Sequence, residues 1–401
     1  MSDALTVDAV VIGAGPAGLA VSACLKRAGQ PHVLIDKEAA VAASWRRHYE
    51  RLHLHTAKDW SALPGMPFPR DYPTYPSRAQ VVSYLERYAE AMQLEPRLGV
   101  EVTHAERSSS TAPSPSGTQR WIVTTKNSGS YNAGALVVAS GYNAVAERAT
   151  WPGLVTFTGP VVHSSDFKNG RSFRGKRVLV VGSGNSGAEI AVDLWESGAE
   201  TAMVFRGPVH VVPRDAFGMP AQRMTLALSR LPAKVADRLS EPLRDLTIGD
   251  LRPYGIRRPA VGPLELLETT GRVPLIDIGT IALIRQGAIK VHPNIASIDG
   301  SGIRFVDGAN ASFDAIVLAT GYRAGLGRWL AGVDAVLDAR GLPKDHGRES
   351  QIPGLYFCGF RNPTTGALRE IAIEAERIAA ALSTRVHARS RPGRPGSYTH
   401  G

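Results

Sequence analysis

The sequence predicts an α/β fold built from two nested units, each with its own parallel sheet, and three observations predict it. Two glycine-rich loops, Gly13-Ala14-Gly15-Pro16-Ala17-Gly18 and Gly182-Ser183-Gly184-Asn185-Ser186-Gly187, each follow an unbroken run of strand-forming apolar residues. A late strand-turn, Ala135-Leu136-Val137-Val138-Ala139-Ser140-Gly141-Tyr142, returns almost verbatim as Ala315-Ile316-Val317-Leu318-Ala319-Thr320-Gly321-Tyr322. The 401 residues also exceed the size at which one core stops growing. Together these describe two Rossmann-like dinucleotide-binding domains, with right-handed crossovers placing both ligands at the carboxyl ends of parallel strands.

In order along the chain, Val7 to Ile12 reads as strand, Ala17 to Ala28 as helix closed by Gly29, and Pro31 to Ile35 as strand. The aromatic and proline-rich stretch from Trp45 to Tyr75 reads as irregular loop, and Ala79 to Met92 as an amphipathic helix. Arg107 to Gln119 is of low complexity and reads as a hairpin loop. The second unit begins with the linker Phe157–Lys168, just ahead of the strand Arg177 to Val181, and Pro220 to Gly271 reads as helices covering it. The division expected is a discontinuous first domain, 1–155 and 310–385, an inserted second domain, 156–309, and a disordered basic tail, 386–401.

In each loop the first glycine permits the turn, the second admits a pyrophosphate, and the third allows close helix packing, while the helix N-terminus presents free N–H groups to the anion. The loop candidates are therefore Gly13, Gly15, Pro16, Ala17 and Gly18, and Gly182, Ser183, Gly184, Asn185, Ser186 and Gly187. After the first loop the next strand ends in Asp36, followed by Lys37. A carboxylate there accepts from both ribose hydroxyls, which suits FAD and repels a 2′-phosphate. The corresponding strand after the second loop, Thr201 to Phe205, ends in Arg206, which favours NADPH. A flavin in the first unit could thus take a hydride from NADPH in the second.

A net charge of +10 is accompanied by no nucleic-acid-binding signature, and no apolar run of about 18 residues or leader pattern occurs. The expectation is a cytoplasmic enzyme that binds neither nucleic acid nor membrane; nothing in the sequence sets an oligomeric state. Cys24 and Cys358 form no Cys-x-x-Cys pair, so a dithiol reductase is excluded, and no metal-ligand spacing is present. Arg323, Arg361 and Arg369 follow strand ends and are candidate partners for a substrate carboxylate.

The linker carries Phe157, Gly159, His163, Phe167 and Lys168 in the pattern F-x-G-x-x-x-H-x-x-x-[FY]-K. This resembles the fingerprint of the flavin-containing monooxygenases, and the likeness extends through Leu52–Lys58, Tyr75–Ser77, Leu318–Tyr322 and Gly354–Phe360. The YUCCA branch, which converts indole-3-pyruvate to indole-3-acetate, looks most similar. His55 stands about where amine- and sulfur-oxygenating members carry asparagine, and Phe167-Lys168 replaces the Trp-Pro of Baeyer–Villiger enzymes.

The resemblance implies FAD and NADPH as cofactors, a peroxyflavin intermediate, and a small organic substrate attacked with molecular oxygen. N- or S-oxygenation, and a flavin reductase or oxidase without substrate oxygenation, stay open as alternatives. By the same resemblance His163 has a structural role in the linker. His55 is the catalytic candidate, bonding the oxygenated flavin or the nicotinamide, with plain packing as its other reading. Trp45 and Tyr72 line the flavin or anchor their loop. Gly359 is expected to let backbone N–H groups approach the flavin.

Overall fold

The computed structural model describes residues 4–108 and 120–389. The strand Leu5–Ile12 pairs in parallel with Val33–Ile35 on one side and Ser130–Val138 on the other, so that Ile12 faces Ile35 and Val138. The far half of Ser130–Val138 takes Leu355–Phe357 in parallel, while its near half begins an antiparallel meander with Trp121–Thr125 and Val102–Arg107. The loop expected between those last two strands lies mostly outside the described residues.

The helix Pro16–Arg27 has proline at its first turn, where the missing N–H costs nothing, and its face from Leu19 to Leu25 is buried. It packs on the sheet and against the long helix Ala367–Arg389. The helix Arg78–Ala91 starts at a capping box in which Ser77 and Gln80 satisfy each other's backbone N–H groups, and it drives Tyr84 and Tyr88 into the same core. Trp121 and Phe357 fill the opposite face of the sheet.

The second sheet is wholly parallel, in the order Ile289–His292, Glu200–Val204, Arg177–Val181, Ala315–Leu318, Val161–His163. Its helix Asn185–Glu196 follows the second glycine loop, and a three-stranded antiparallel sheet, residues 295 to 312, covers its other face. The stretch from Pro220 to Gly271 holds the helices Gln222–Leu228, Ala233–Thr247 and Pro263–Thr270.

Two expected boundaries move. Ala315–Leu318 was assigned to the returning first domain, but it lies between Arg177–Val181 and Val161–His163 in the second sheet, with Leu318 opposite Val181 and His163. All four residues are buried, and a strand apolar on both faces needs a partner along each edge. The crossing back therefore follows Leu318, beside the short antiparallel pair Val145–Ala146 and Tyr322–Arg323. The tail starting at 386 is also shortened, because the C-terminal helix runs to Arg389. No proline interrupts that run before Pro392. Residues 390–401 lie outside the described residues.

Candidate active site

The two glycine loops are built alike, residue for residue. Gly13 and Gly182 hold φ at +109° and +139°, and a Cβ on either would collide with the carbonyl of Ala139 or Ala319, each at the end of one copy of the repeated strand-turn. The echo in the sequence is thus the wall against which each loop turns. A Cβ on Gly18 would overlap the Gly13 carbonyl, and one on Gly187 the Gly182 carbonyl, so the third glycines bring helix onto loop. Around the middle glycines, Gly15 and Gly184, a Cβ would meet nothing within 4 Å.

Both middle glycines are helix N-caps without a side-chain hydrogen bond, and no acid sits in either first turn. Open space in front of free N–H groups is the cradle a pyrophosphate requires. Asp36 completes the first cradle. Its Oδ2 accepts from Ala14 N at 2.5 Å and its Oδ1 from Glu38 N at 2.8 Å, which leaves lone pairs on both oxygens for ribose hydroxyls. The residues present fit FAD at the first loop and a second dinucleotide at the other.

A cavity of about 890 Å³ joins the two units. Gly13, Gly15, Pro16, Ala17, Asp36, Lys37, Trp45, His55, Asn185 and Gly359 all line it. Gly18, Gly182 and Gly187 sit behind the loops and do not, and Ser183, Gly184, Ser186 and Arg206 stay outside its wall. Arg206 is exposed just past the strand Glu200–Val204 and forms no ion pair among the described residues. Trp45 and Tyr72 also pack on the first core, so the lining and anchoring roles coincide for Trp45.

The reason expected for Gly359 is corrected. Its N–H is given to Glu374 Oε2 at 2.8 Å, not held free for a cofactor. What excludes a side chain there is φ of +80° and a helix surface so close that a Cβ would stand 2.7 Å from Ala17 Cβ.

His55 Nε2 lies 2.9 Å from Glu189 Oε1, and Glu189 is 2% exposed. This contact between Nε2 and the Glu189 carboxyl group fixes the orientation of the imidazole. Tyr49, buried beneath, hydrogen-bonds Glu189 and Ser186, and burial first, with the Glu189 charge second, pushes its phenol well above the usual range. The network ties the first unit's aromatic loop to the helix behind the second glycine loop. His48, also on the cavity wall, is lowered to about 4, by burial and then by Lys168 nearby, and is neutral at pH 7.

His163 does not reach the cavity. It ends the edge strand of the second sheet fully buried, edge-on to Tyr322 at 5.1 Å, with Nδ1 2.9 Å from Ser165 Oγ. Cys24 and Cys358 are both free and buried; burial raises the first to about 11 and pushes the second well above the usual thiol range, so neither is a nucleophile.

Sequence reasoning missed two cavity residues, Gln222 and Arg244, and Glu189 behind His55. Gln222 accepts from Ala57 N and donates to Thr365 O, closing one wall. Glu189 and Arg244 are buried charges on otherwise apolar helix faces, and a charge at such a position is the signal that marks them. Of the arginines singled out for a carboxylate, Arg323 and Arg369 are paired to Glu147 and Glu370, Arg361 is exposed, and none lines the cavity. Among the described residues no helix is long and apolar enough to cross a membrane.

The profile of the family described as "Flavin-binding monooxygenase-like" matches residues 7–327. Indole-3-pyruvate monooxygenase YUCCA1 of Oryza sativa subsp. japonica is 41% identical over 360 residues, covering 88% of this chain and 86% of its own. Probable indole-3-pyruvate monooxygenase YUCCA4 of Arabidopsis thaliana is 40% identical over 375 residues, 92% and 88% of the two chains. Among solved structures, a flavin-containing monooxygenase from Stenotrophomonas maltophilia superposes with a TM-score of 0.72 at 22% identity, over 95% of this chain and 99% of that one, a likeness of fold. The chain therefore belongs to the flavin-binding monooxygenase-like family and is an NADPH- and oxygen-dependent flavoenzyme whose cofactors are FAD and NADPH.

Proposed function

We propose that this monooxygenase oxidatively decarboxylates an aryl-pyruvate such as indole-3-pyruvate. The observation that carries the reading is near-full-length similarity, at about 40% identity, to proteins named indole-3-pyruvate monooxygenases. In the balanced reaction the 2-keto acid, oxygen, NADPH and a proton give an arylacetate, carbon dioxide, water and NADP⁺. The bond between the keto carbon and the carboxyl breaks, one oxygen atom enters the new carboxylate, and the other leaves as water.

FAD and NADPH supply the hydride and the oxygen chemistry when bound. The chain supplies position and dryness. The Gly13–Gly18 loop and Asp36 hold FAD, Gly182–Gly187 hold NADPH, and Arg206 meets its 2′-phosphate. His55, oriented by Glu189, presents its imidazole at the cavity, while Trp45 and Gly359 wall off water, which would otherwise divert the oxygen to hydrogen peroxide. We place the enzyme in the cytoplasm, supported by two thiols that share one core yet remain unpaired.

The test incubates the purified holoenzyme with NADPH, oxygen and, in turn, indole-3-pyruvate, phenylpyruvate, a tertiary amine and a sulfide. The arylacetate is expected, close to one per NADPH consumed. An N- or S-oxide, or hydrogen peroxide alone with every substrate, would overturn the reading. In His55→Ala the yield of arylacetate per NADPH is expected to fall about tenfold, the balance appearing as hydrogen peroxide, an effect of about 1.4 kcal/mol on the partition. An unchanged yield would assign His55 to packing.

A further inference from the structure

One buried charge on the cavity wall is left with unmet donors. Arg244, on the helix Ala233–Thr247, has a side chain only 9% exposed. Its Nε and Nη1 have no hydrogen-bond partner, and its Nη2 reaches only the exposed carboxylate of Glu241, at 3.4 Å. Asp237, two turns earlier, is turned to the helix Pro263–Thr270, where its oxygens accept from Leu264 N and Glu265 N at 3.0 Å, and it forms no ion pair with Arg244. His210 nearby is lowered by burial and adds no second charge at neutral pH.

The other cations of the cavity are differently placed. Arg47 is paired with Glu38, and Arg214 with Asp215 while stacked on Tyr75 at 4.2 Å; Lys37 and Arg328 are exposed. Arg244 alone among them is buried with donors to spare. Met224, Leu228, Leu243, Leu264 and Ile276 are apolar residues lining the same cavity. A guanidinium withdrawn from water with unmet donors is costly unless an acceptor arrives from the cavity. A cavity with apolar lining residues and one such fork matches a ligand with an apolar body and one carboxylate.

We propose that Arg244 is the carboxylate anchor of the substrate site, selecting aryl-substituted acids over neutral ketones, amines and sulfides. This rests on the aryl-pyruvate reading for the identity of the substrate, but not for the presence of an acid-selective site. Bound to Arg244, the acid is oriented in the cavity lined by the first nucleotide loop and by Asn185 of the second, and the charged group that distinguishes a 2-keto acid from a plain ketone is read.

The test measures binding apart from turnover. Indole-3-acetate and indole-3-acetamide, alike but for charge, are titrated calorimetrically into the holoenzyme of the parent, Arg244→Met and Arg244→Lys, with bound flavin checking the fold. KM and kcat for indole-3-pyruvate, and KM for NADPH, are measured beside them. The parent is expected to prefer the acid. Arg244→Met should weaken acid binding about 100-fold and raise KM for indole-3-pyruvate more than it lowers kcat, with amide binding within about twofold; Arg244→Lys should recover part of the loss.

Equal loss for acid and amide, or a raised KM for NADPH in place of the acid effect, would overturn the anchor. If Arg244→Met does not retain flavin, the Lys variant decides alone, since an unchanged acid affinity there would count against the fork. Turnover of aryl-pyruvate with acid binding untouched by either substitution defeats the anchor and leaves the activity standing. Acid-selective binding that depends on Arg244, without turnover of any 2-keto acid, defeats the aryl-pyruvate reading and leaves the anchor standing.

Discussion

Gly15→Val is expected to give a folded protein that purifies without colour. Gly15 has φ of −79° and ψ of −173°, a conformation any residue adopts, and a Cβ there would meet nothing within 4 Å beyond its chain neighbours. The cost to the apo fold is therefore small, about 1 kcal/mol or less. The valine would instead fill the space between the loop and the pyrophosphate, so FAD affinity should fall at least about 100-fold, roughly 2.7 kcal/mol. Absorbance and circular dichroism of the purified variant check both halves. The neighbouring Gly18 gives the opposite contrast, since a side chain there overlaps the Gly13 carbonyl and breaks the fold before the site. A Gly15→Val protein carrying stoichiometric FAD would remove the first loop from the site.

The second large effect is expected at Arg206. The residue is exposed and forms no ion pair among the described residues, so Arg206→Ala should change stability by no more than about 0.5 kcal/mol. Its charge lies past the end of the strand that follows the second loop, the position from which a side chain meets the adenosine ribose. A charge-assisted contact to a 2′-phosphate contributes about 1.5 to 3 kcal/mol, so KM for NADPH should rise about 10- to 150-fold while KM for NADH hardly moves. Because the pair would be solvent-exposed, the parent's preference should also weaken with added salt. A preference for NADPH retained in full by Arg206→Ala would place the discriminating group elsewhere.

Much of this was legible before any coordinates. The loops announce themselves because three glycines at fixed spacing are a steric requirement, and the structure shows Gly13 with Gly18, and Gly182 with Gly187, meeting it identically. The repeated strand-turn was legible as an echo but not in its place. Ala315–Leu318 reads the same whichever sheet receives it, since an apolar run specifies burial and not neighbours. Only the register against Val178–Val181 decides.

Gly359 was identified as a cavity residue for the wrong reason. Its N–H finds Glu374, which lies fifteen positions later on a helix, a contact that local pattern cannot supply. The same limit hid the Glu189–His55–Tyr49 network, in which Glu189 lies 134 positions beyond His55. Arg244 was passed over because an arginine amid Leu, Arg and Pro reads as a solvated surface group. Its burial comes from the packing of the Ala233–Thr247 helix on Pro263–Thr270 and the strand Val211–Pro213.

The central claim is that the two loops serve two different nucleotides facing one cavity, so that NADPH held by the second reduces FAD held by the first. Gly184→Val tests it, because Gly184 is the exposed counterpart of Gly15 with equally open space around it. Mixed anaerobically with NADPH in a stopped-flow cell, the parent's flavin should bleach rapidly. The Gly184→Val protein should be equally yellow and bleach with dithionite, but respond to NADPH at least about 100-fold more slowly at subsaturating concentration. A variant that lost its flavin, or one bleached by NADPH at the parent's rate, would contradict the account.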